Sequence, residues 1–177
     1  MQSNIRQPGN VEEVTALRTL FEEYLRQVYW AERALAPAFS NLIKYISSKD
    51  ITKMLTLHLT NTMIHADRLE KIFESIGIPA EEKKFEAVDA LINEADFVIG
   101  QTVPGAVRDA ALIANVQHII HCEIASYGTL KSFAFSLKEE DVVALLEKNL
   151  QEEKELDLKL SVIAEAYVND EAANKEI

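Results

Sequence analysis

Six residues with metal-ligand side chains fall on apolar stripes where a core residue is expected: Glu32, His58, His65, Glu123, Glu153 and Asp157. Glu32 stands four after Val28 and three before Leu35, so on a helix it points where they point. His58 and His65 are bracketed by Leu55 and Leu69, with Asn61 and Thr62 between them on the same face. Glu123 lies between Ile120 and Tyr127, and Glu153 and Asp157 lie between Leu150 and Leu160. Carboxylates buried together as anions need compensation, because burial penalises each charge and like charges raise one another's pKa. A divalent cation is the usual compensation. Bundles that hold two metal ions place one carboxylate on each of two helices and a carboxylate plus a histidine on each of the other two. A single Glu on a stripe is more often a boundary residue reaching for water. The coincidence across four segments is what points to a metal site for one or two ions, and nitrogen and oxygen donors of this kind suit iron, manganese or zinc.

These residues need long helices to position them. The stripe Val14, Leu17, Phe21, Tyr24, Val28, Leu35, Phe39, Leu42, Ile46 predicts a helix over 11–46, with Asn10 as its cap and a kink at Pro37. Ser47 to Asp50 make a turn, and Ile51, Leu55, Leu69, Ile72 and Ile76 predict a second helix ending at Gly77 and Pro79. A shorter helix follows over 81–99. The third long helix runs over 106–137 with Gly128 in its interior, where a close helix–helix approach would justify a glycine. The fourth covers 139–168. Residues 1–10 read as a loose lead-in, 11–168 as one helical domain, and 169–177 as a frayed tail. Long helices of similar length pack side by side as a four-helix bundle. The extra helix between the second and third lengthens their connection, so those two run parallel, which is the crossover topology of ferritin-like bundles. Mid-helix positions then meet at one level, which would bring the ligand-type residues together.

Composition agrees with an all-α reading. The 177 residues include only 5 Gly and 4 Pro, too few for a chain of many tight β-turns. A net charge of -11 argues against a nucleic-acid backbone or an anionic membrane as the main partner. The single cysteine, Cys122, cannot form an intramolecular disulfide and carries no sign of an activated thiol. The N-terminal stretch MQSNIRQPGN has no apolar run of the kind a signal peptide needs, and no stretch is long and apolar enough for a membrane helix, so the cytoplasm is the expected location. His118 and His121 flank the third stripe as boundary residues. Tyr24, Tyr29, Trp30 and Tyr127 read as packing, with Tyr29 or Tyr127 placed to donate a hydrogen bond to a carboxylate. Phosphate loops, cysteine-pair zinc signatures and nucleophile–base motifs are absent from the sequence.

The segments LF at 20–21, YWAERAL at 29–35, HLTNT at 58–62, RDAALIANVQHIIHCEIASYGTL at 108–130 and LQEEKELDLKL at 150–160 resemble the YciE/YciF family of ferritin-like bacterial stress-response proteins. The resemblance covers about residues 17–165. It implies a ferritin-like bundle with an extra helix, a carboxylate-rich dimetal site, a homodimer and, for some members, ferroxidase-like behaviour. The family's first helix reads D-x-Y-x-A-E; here Gln27 replaces the Asp, while Tyr29, Ala31 and Glu32 remain. Its second reads H-L-x-E-T; His58, Leu59 and Thr62 match, but Asn61 replaces the Glu. Its third reads E-H-x-E-I-A; Ile120 replaces the first Glu, while His121 and Glu123 remain. The fourth keeps Glu152, Glu153 and Asp157 of E-E-K-x-x-D. Two carboxylates at expected ligand positions are therefore gone. Asn binds a metal only through its neutral carbonyl, and Ile cannot bind one. His65 stands where relatives often carry Gln and is a substitute ligand.

The leading expectation is a stress-response bundle with an altered metal site that oxidises Fe(II) with dioxygen or peroxide. Glu32, Glu123 and Glu153 are its core ligands, and Asp157, His58 and His65 its secondary ones. The alternative is a member without metal turnover that acts as a structural or partner-binding bundle. A DNA-coating cage ranks last, because the tail at 169–177 carries Lys175 against Asp170, Glu171 and Glu176.

Overall fold

The structure is a computed structural model, and it describes residues 16–174. The expected helix start at 11–15, the Asn10 cap and the last residues of the tail lie outside that range. Helix α1 spans Leu17–Leu42, α2 Lys49–Ser75, α3 Glu86–Gln101, α4 Ala106–Ser136, α5 Glu140–Ile163 and α6 Asn169–Ala173. A 3₁₀ turn at Ile43–Tyr45 extends α1, and a π-helical turn at Ala164–Val168 joins α5 to α6. Residues 169–173, expected to fray, are helical. Among the described residues, no helix is long and apolar enough to cross a membrane.

Local chemistry sets the ends. Ser48 caps α2 by accepting the Ile51 N–H. Asp109 of α4 accepts the backbone N–H groups of Ser47 and Ser48 at 2.8 and 2.7 Å, tying the α1–α2 corner to the base of α4. Gly77, at φ 74°, stops α2: its N–H reaches Glu74 and that of Ile78 reaches Phe73, a Schellman closure that satisfies the last carbonyls. The same closure ends α4 on Lys138, at φ 63°. Pro37 lies inside α1 on its exposed side, and the helix continues to Leu42.

Pairings between helices fix the topology. Tyr29 meets Phe73 and Phe39 meets His58, so α1 and α2 are antiparallel. Gln117 meets Asp157 and Lys131 meets Glu147, so α4 and α5 are antiparallel. Tyr24 against Phe133 and Glu32 against Tyr127 make α1 and α4 antiparallel. Both α2 and α4 therefore oppose α1 and run parallel to each other, as the long connection through α3 requires. Helix α3 packs on α4 and α1 through Val88 and Ala95, and Asn115 Nδ2 donates to the Leu91 carbonyl at 3.1 Å. Gly128, by contrast, supports no close approach, because a Cβ built there meets nothing within 4 Å.

The apolar core is divided. One cluster holds Phe21, Leu25, Leu69, Phe73, Tyr127 and Leu146; the other holds Leu35, Phe39, Leu55, Val116, Ile120 and Leu160. Between them, at mid-helix level, lies a layer of buried polar side chains.

Candidate metal centre

Each long helix delivers to this layer. Helix α1 contributes Glu32, α2 contributes His58 and His65, α4 contributes Glu123, and α5 contributes Glu153; all five are buried. Two groups of donor atoms result, each within 4.8 Å of one another: Glu32, His65 and Glu153, and His58, Glu123 and Glu153. Glu153 belongs to both.

The first group is well partnered. His65 Nδ1 lies 3.2 Å from Oε1 of Glu32 and 3.2 Å from Oε1 of Glu153. Its Nε2 lies 2.8 Å from Glu152 Oε2. Both ring nitrogens thus face carboxylates, an arrangement that suits the imidazolium. Burial works against that charge, but the Glu32 carboxylate and the contacts with Glu153 outweigh it and push His65 up to about 10. Arg68 clamps Glu152 through both its Nη atoms, at 2.7 and 2.9 Å, and bonds Asn149 Oδ1 at 2.8 Å. Despite partial burial, this clamp and the His65 contact hold Glu152 below the usual carboxylate range. Tyr127 donates its hydroxyl to Glu32 Oε1. Tyr29 donates to Glu70, outside the layer, at 2.6 Å.

The second group is partnered only through the shared Glu153. Both oxygens of Glu123, Oε2 of Glu153 and Nε2 of His58 are buried without a hydrogen bond, as is Oε2 of Glu32, while Glu153 Oε1 faces only the His65 imidazolium. His58 Nδ1 approaches Glu153 Oε1 only to 3.9 Å. Burial, with the His65 charge nearby, lowers His58 to about 3, so its ring is neutral. Burial and the neighbouring carboxylates raise Glu123 well above the ordinary range. Burial raises Glu153 to about 7, partly offset by His65. Unpartnered buried oxygens and a neutral imidazole are the donor set that a hard or borderline cation needs, since ligation requires deprotonated carboxylate and neutral His. The residues present fit such an ion.

Of the six residues read from sequence, the layer gathers Glu32, His58, His65, Glu123 and Glu153. Asp157 is in neither group. It lies at the α4–α5 edge, accepting from Gln117 Nε2 at 2.9 Å, with His121 Nε2 3.2 Å away. His121 is largely exposed, as is His118. Ile120 fills core space beside Glu123, and Asn61 lines a cleft next to His58. Arg68 and Asn149 were not anticipated, and Glu152 was noted only as part of a motif. The signal available was charge of opposite sign at positions flanking the α2 and α5 stripes.

The chain matches a family model described as a domain of unknown function, DUF892, over residues 16–173. It is 37% identical over 160 residues to Protein YciF of Escherichia coli K12, covering 90% of this chain and 96% of that one. The crystal structure of the E. coli stress protein YciF superposes with a TM-score of 0.84 at 36% identity, over 88% of this chain and 98% of that one. YcfI of Rhodopseudomonas palustris, described provisionally as a structural protein, gives 0.83 at 35% identity, over 86% and 98%. A Xanthomonas campestris protein shares the fold, with a TM-score of 0.71 at 18% identity, over 91% of this chain and 99% of that one. This all-helical bundle, with its polar layer across the mid-level, belongs to the DUF892 family and is similar to YciF of E. coli.

Proposed function

We propose that the bundle binds one divalent cation at His58, Glu123 and Glu153, and that the His65 imidazolium takes the place of a second ion beside Glu32. The observation that carries this reading is the convergence of His58, Glu123 and Glu153 in one buried group, with His58 Nε2, both Glu123 oxygens and Glu153 Oε2 left without a hydrogen bond. Each unpartnered polar atom is unfavourable by about 1–3 kcal/mol, and a bound cation removes that penalty for several at once. Iron, manganese and zinc all suit the donors. His58, Glu123 and Glu153 would hold the ion, and iron there would supply one-electron redox chemistry, with dioxygen reduced to superoxide as Fe(II) is oxidised. The chain's own part is to supply neutral His58, to release protons from Glu123 and Glu153 as the ion binds, and to exclude bulk water. The expected homodimer and a cytoplasmic setting complete the reading.

The test is metal content by mass spectrometry after anaerobic loading with Fe(II), Mn(II) or Zn(II) and removal of loose ions. About one equivalent per chain is expected from that single group. Two equivalents would mean that His65 gives way as an internal cation. None would favour the second reading, a structural or partner-binding bundle. The self-contained charge pairing of His65 with Glu32, Glu152 and Glu153 is what favours that reading, since it lets the layer persist without an ion.

A further inference from the structure

A cation bound at the buried group must cross a wall of packed helices, and two cavities adjoin that wall. One, of about 280 Å³, lies between α1 and α4 against Val28 and Cys122, with Tyr24, Gln27, Ala125 and Ser126 in its lining. It presents no charged side chain, and no residue of the polar layer lines it. The other, of about 50 Å³, lies between α2 and α5 and is lined by Leu57, His58, Asn61, Glu152, Glu155 and Lys159, among others. It has room for a few water-sized particles. Its inner wall is His58, only 2% exposed, whose Nε2 has no partner. Its outer wall carries two carboxylates. Glu152, with its side chain 31% exposed, is occupied on both oxygens by Arg68 and His65. Glu155 is exposed, 3.8 Å from Lys159, a surface pair too well screened to cancel its charge.

We infer that this α2–α5 cleft is the route by which the divalent cation passes between water and His58, with Glu155 as its first contact. The inference rests on the proposed metal centre. A hydrated dication exchanges its waters stepwise for donor groups, and the cleft offers Glu155 at the surface, Asn61 in the wall and then the buried imidazole. The larger cavity offers no such sequence.

The experiment follows Co(II) uptake by the full chain through its visible absorption in a stopped-flow instrument, and Co(II) release to a chelator. Leu57 is 61% exposed, so Leu57→Trp covers the mouth without filling the core. Uptake and release are expected to slow together by at least about tenfold, with unchanged affinity, stoichiometry and circular dichroism, as gating requires. Glu155→Lys is expected to slow uptake and flatten its dependence on ionic strength. Ala125→Trp, which covers the α1–α4 cavity, is expected to match the wild type. Wild-type rates in both Leu57→Trp and Glu155→Lys overturn the route, as does slowing by Ala125→Trp alone. Co(II) that binds the wild type but is lost from Leu57→Trp through weakened affinity, at unchanged uptake rate, also overturns it. A wild type that takes up no Co(II) overturns centre and route together.

Discussion

His65 and His58 sit two turns apart on α2, both buried, both beside Glu153, and yet they are opposites. His65 sets each ring nitrogen against a carboxylate and is held as a cation by Glu32, Glu152 and Glu153. His58 packs its ring edge on Phe39, at 4.9 Å between centroids, and leaves Nε2 unpartnered. The difference comes from what stands across the seam. Opposite His65, α5 presents Glu152, locked by Arg68, and α1 presents Glu32, locked by Tyr127. Opposite His58 come only Glu123 and the shared Glu153, two groups whose own ionisation is resisted by burial. One half of the layer carries its own counter-ion. The other half has donors and no cation, which is why the proposed ion is placed there.

The largest effect is expected from the residue the two halves share. Glu153→Ala removes a donor from both groups, and ion affinity should fall by more than about 100-fold, beyond the loss typical of an outer partner alone. Equilibrium dialysis against Zn(II) measures it. The apoprotein separates the readings. If the layer serves only as a structural core, Glu153→Ala leaves its stability unchanged or raises it, because like-charge repulsion with Glu123 and Glu32 is relieved, and no ion affinity is lost because none existed.

The two histidines should then separate by pH in the metal-free protein. His65 is raised from 6.5 to about 10, so the folded state binds its proton more tightly than the unfolded state does. Its contribution is fully present below about 6.5 and is lost as pH rises toward about 10. His58 is lowered to about 3, so its contribution is present above about 6.5 and lost as pH falls toward 3. Glu153, raised to about 7, acts against the His58 trend over part of that range, since its neutral form is favoured below about 4.5 and the advantage is lost by about 7. His65→Gln should flatten the alkaline limb of a urea-unfolding series, and His58→Gln the acid limb, each by of the order of a few kcal/mol at the extremes. The same limb flattened by both variants would show that the two rings titrate as one unit.

How much of this contrast the sequence could carry is seen in particular residues. Glu32, Glu123 and the two histidines were legible because a polar residue on an apolar stripe has one direction to point. Asp157 lies outside the two donor groups: four residues on a helix turn about 400°, which leaves it some 40° off the line of Glu153. That rotation is enough to hand it to Gln117 and His121 at the α4–α5 edge. Arg68 and Glu152 sit on stripe flanks, and nothing in either helix alone says that one guanidinium will reach the other's carboxylate. That information lives in the antiparallel register of α2 and α5. The topology was legible because helix lengths and one long connection leave few arrangements.

Arg68 offers a smaller, more local break. Arg68→Met keeps the aliphatic stem and removes the clamp on Glu152. Hydrogen bonds to a charged partner contribute about 1.5–3 kcal/mol, and partial exposure reduces that toward the lower figure. Thermal unfolding should report the loss. A sharper readout is the alkaline limb: with Glu152 free to leave His65, the loss of stability should begin at lower pH than in the wild type. An unshifted limb would mean that Glu32 and Glu153 hold the imidazolium without help.

The smallest effect lies away from the layer and tests the reading of α4 as a helix that needs no close neighbour at Gly128. A glycine inside a helix is unfavourable by about 1 kcal/mol against alanine, chiefly through the freedom it keeps when unfolded. That disadvantage persists in proteins where the missing Cβ lets another backbone approach. Here a Cβ would meet nothing within 4 Å, and the helix runs through the position from Ala106 to Ser136. Gly128→Ala should therefore stabilise the isolated chain, raising the midpoint of thermal unfolding by about 2–4 °C for a protein of this size. Its effect on ion binding and on the pH limbs should be nil, because no polar group of the layer touches the site. A destabilised variant would mean that something covers Gly128 in solution, and comparing sedimentation of the variant with that of the wild type would show whether the cover is a second copy of the chain.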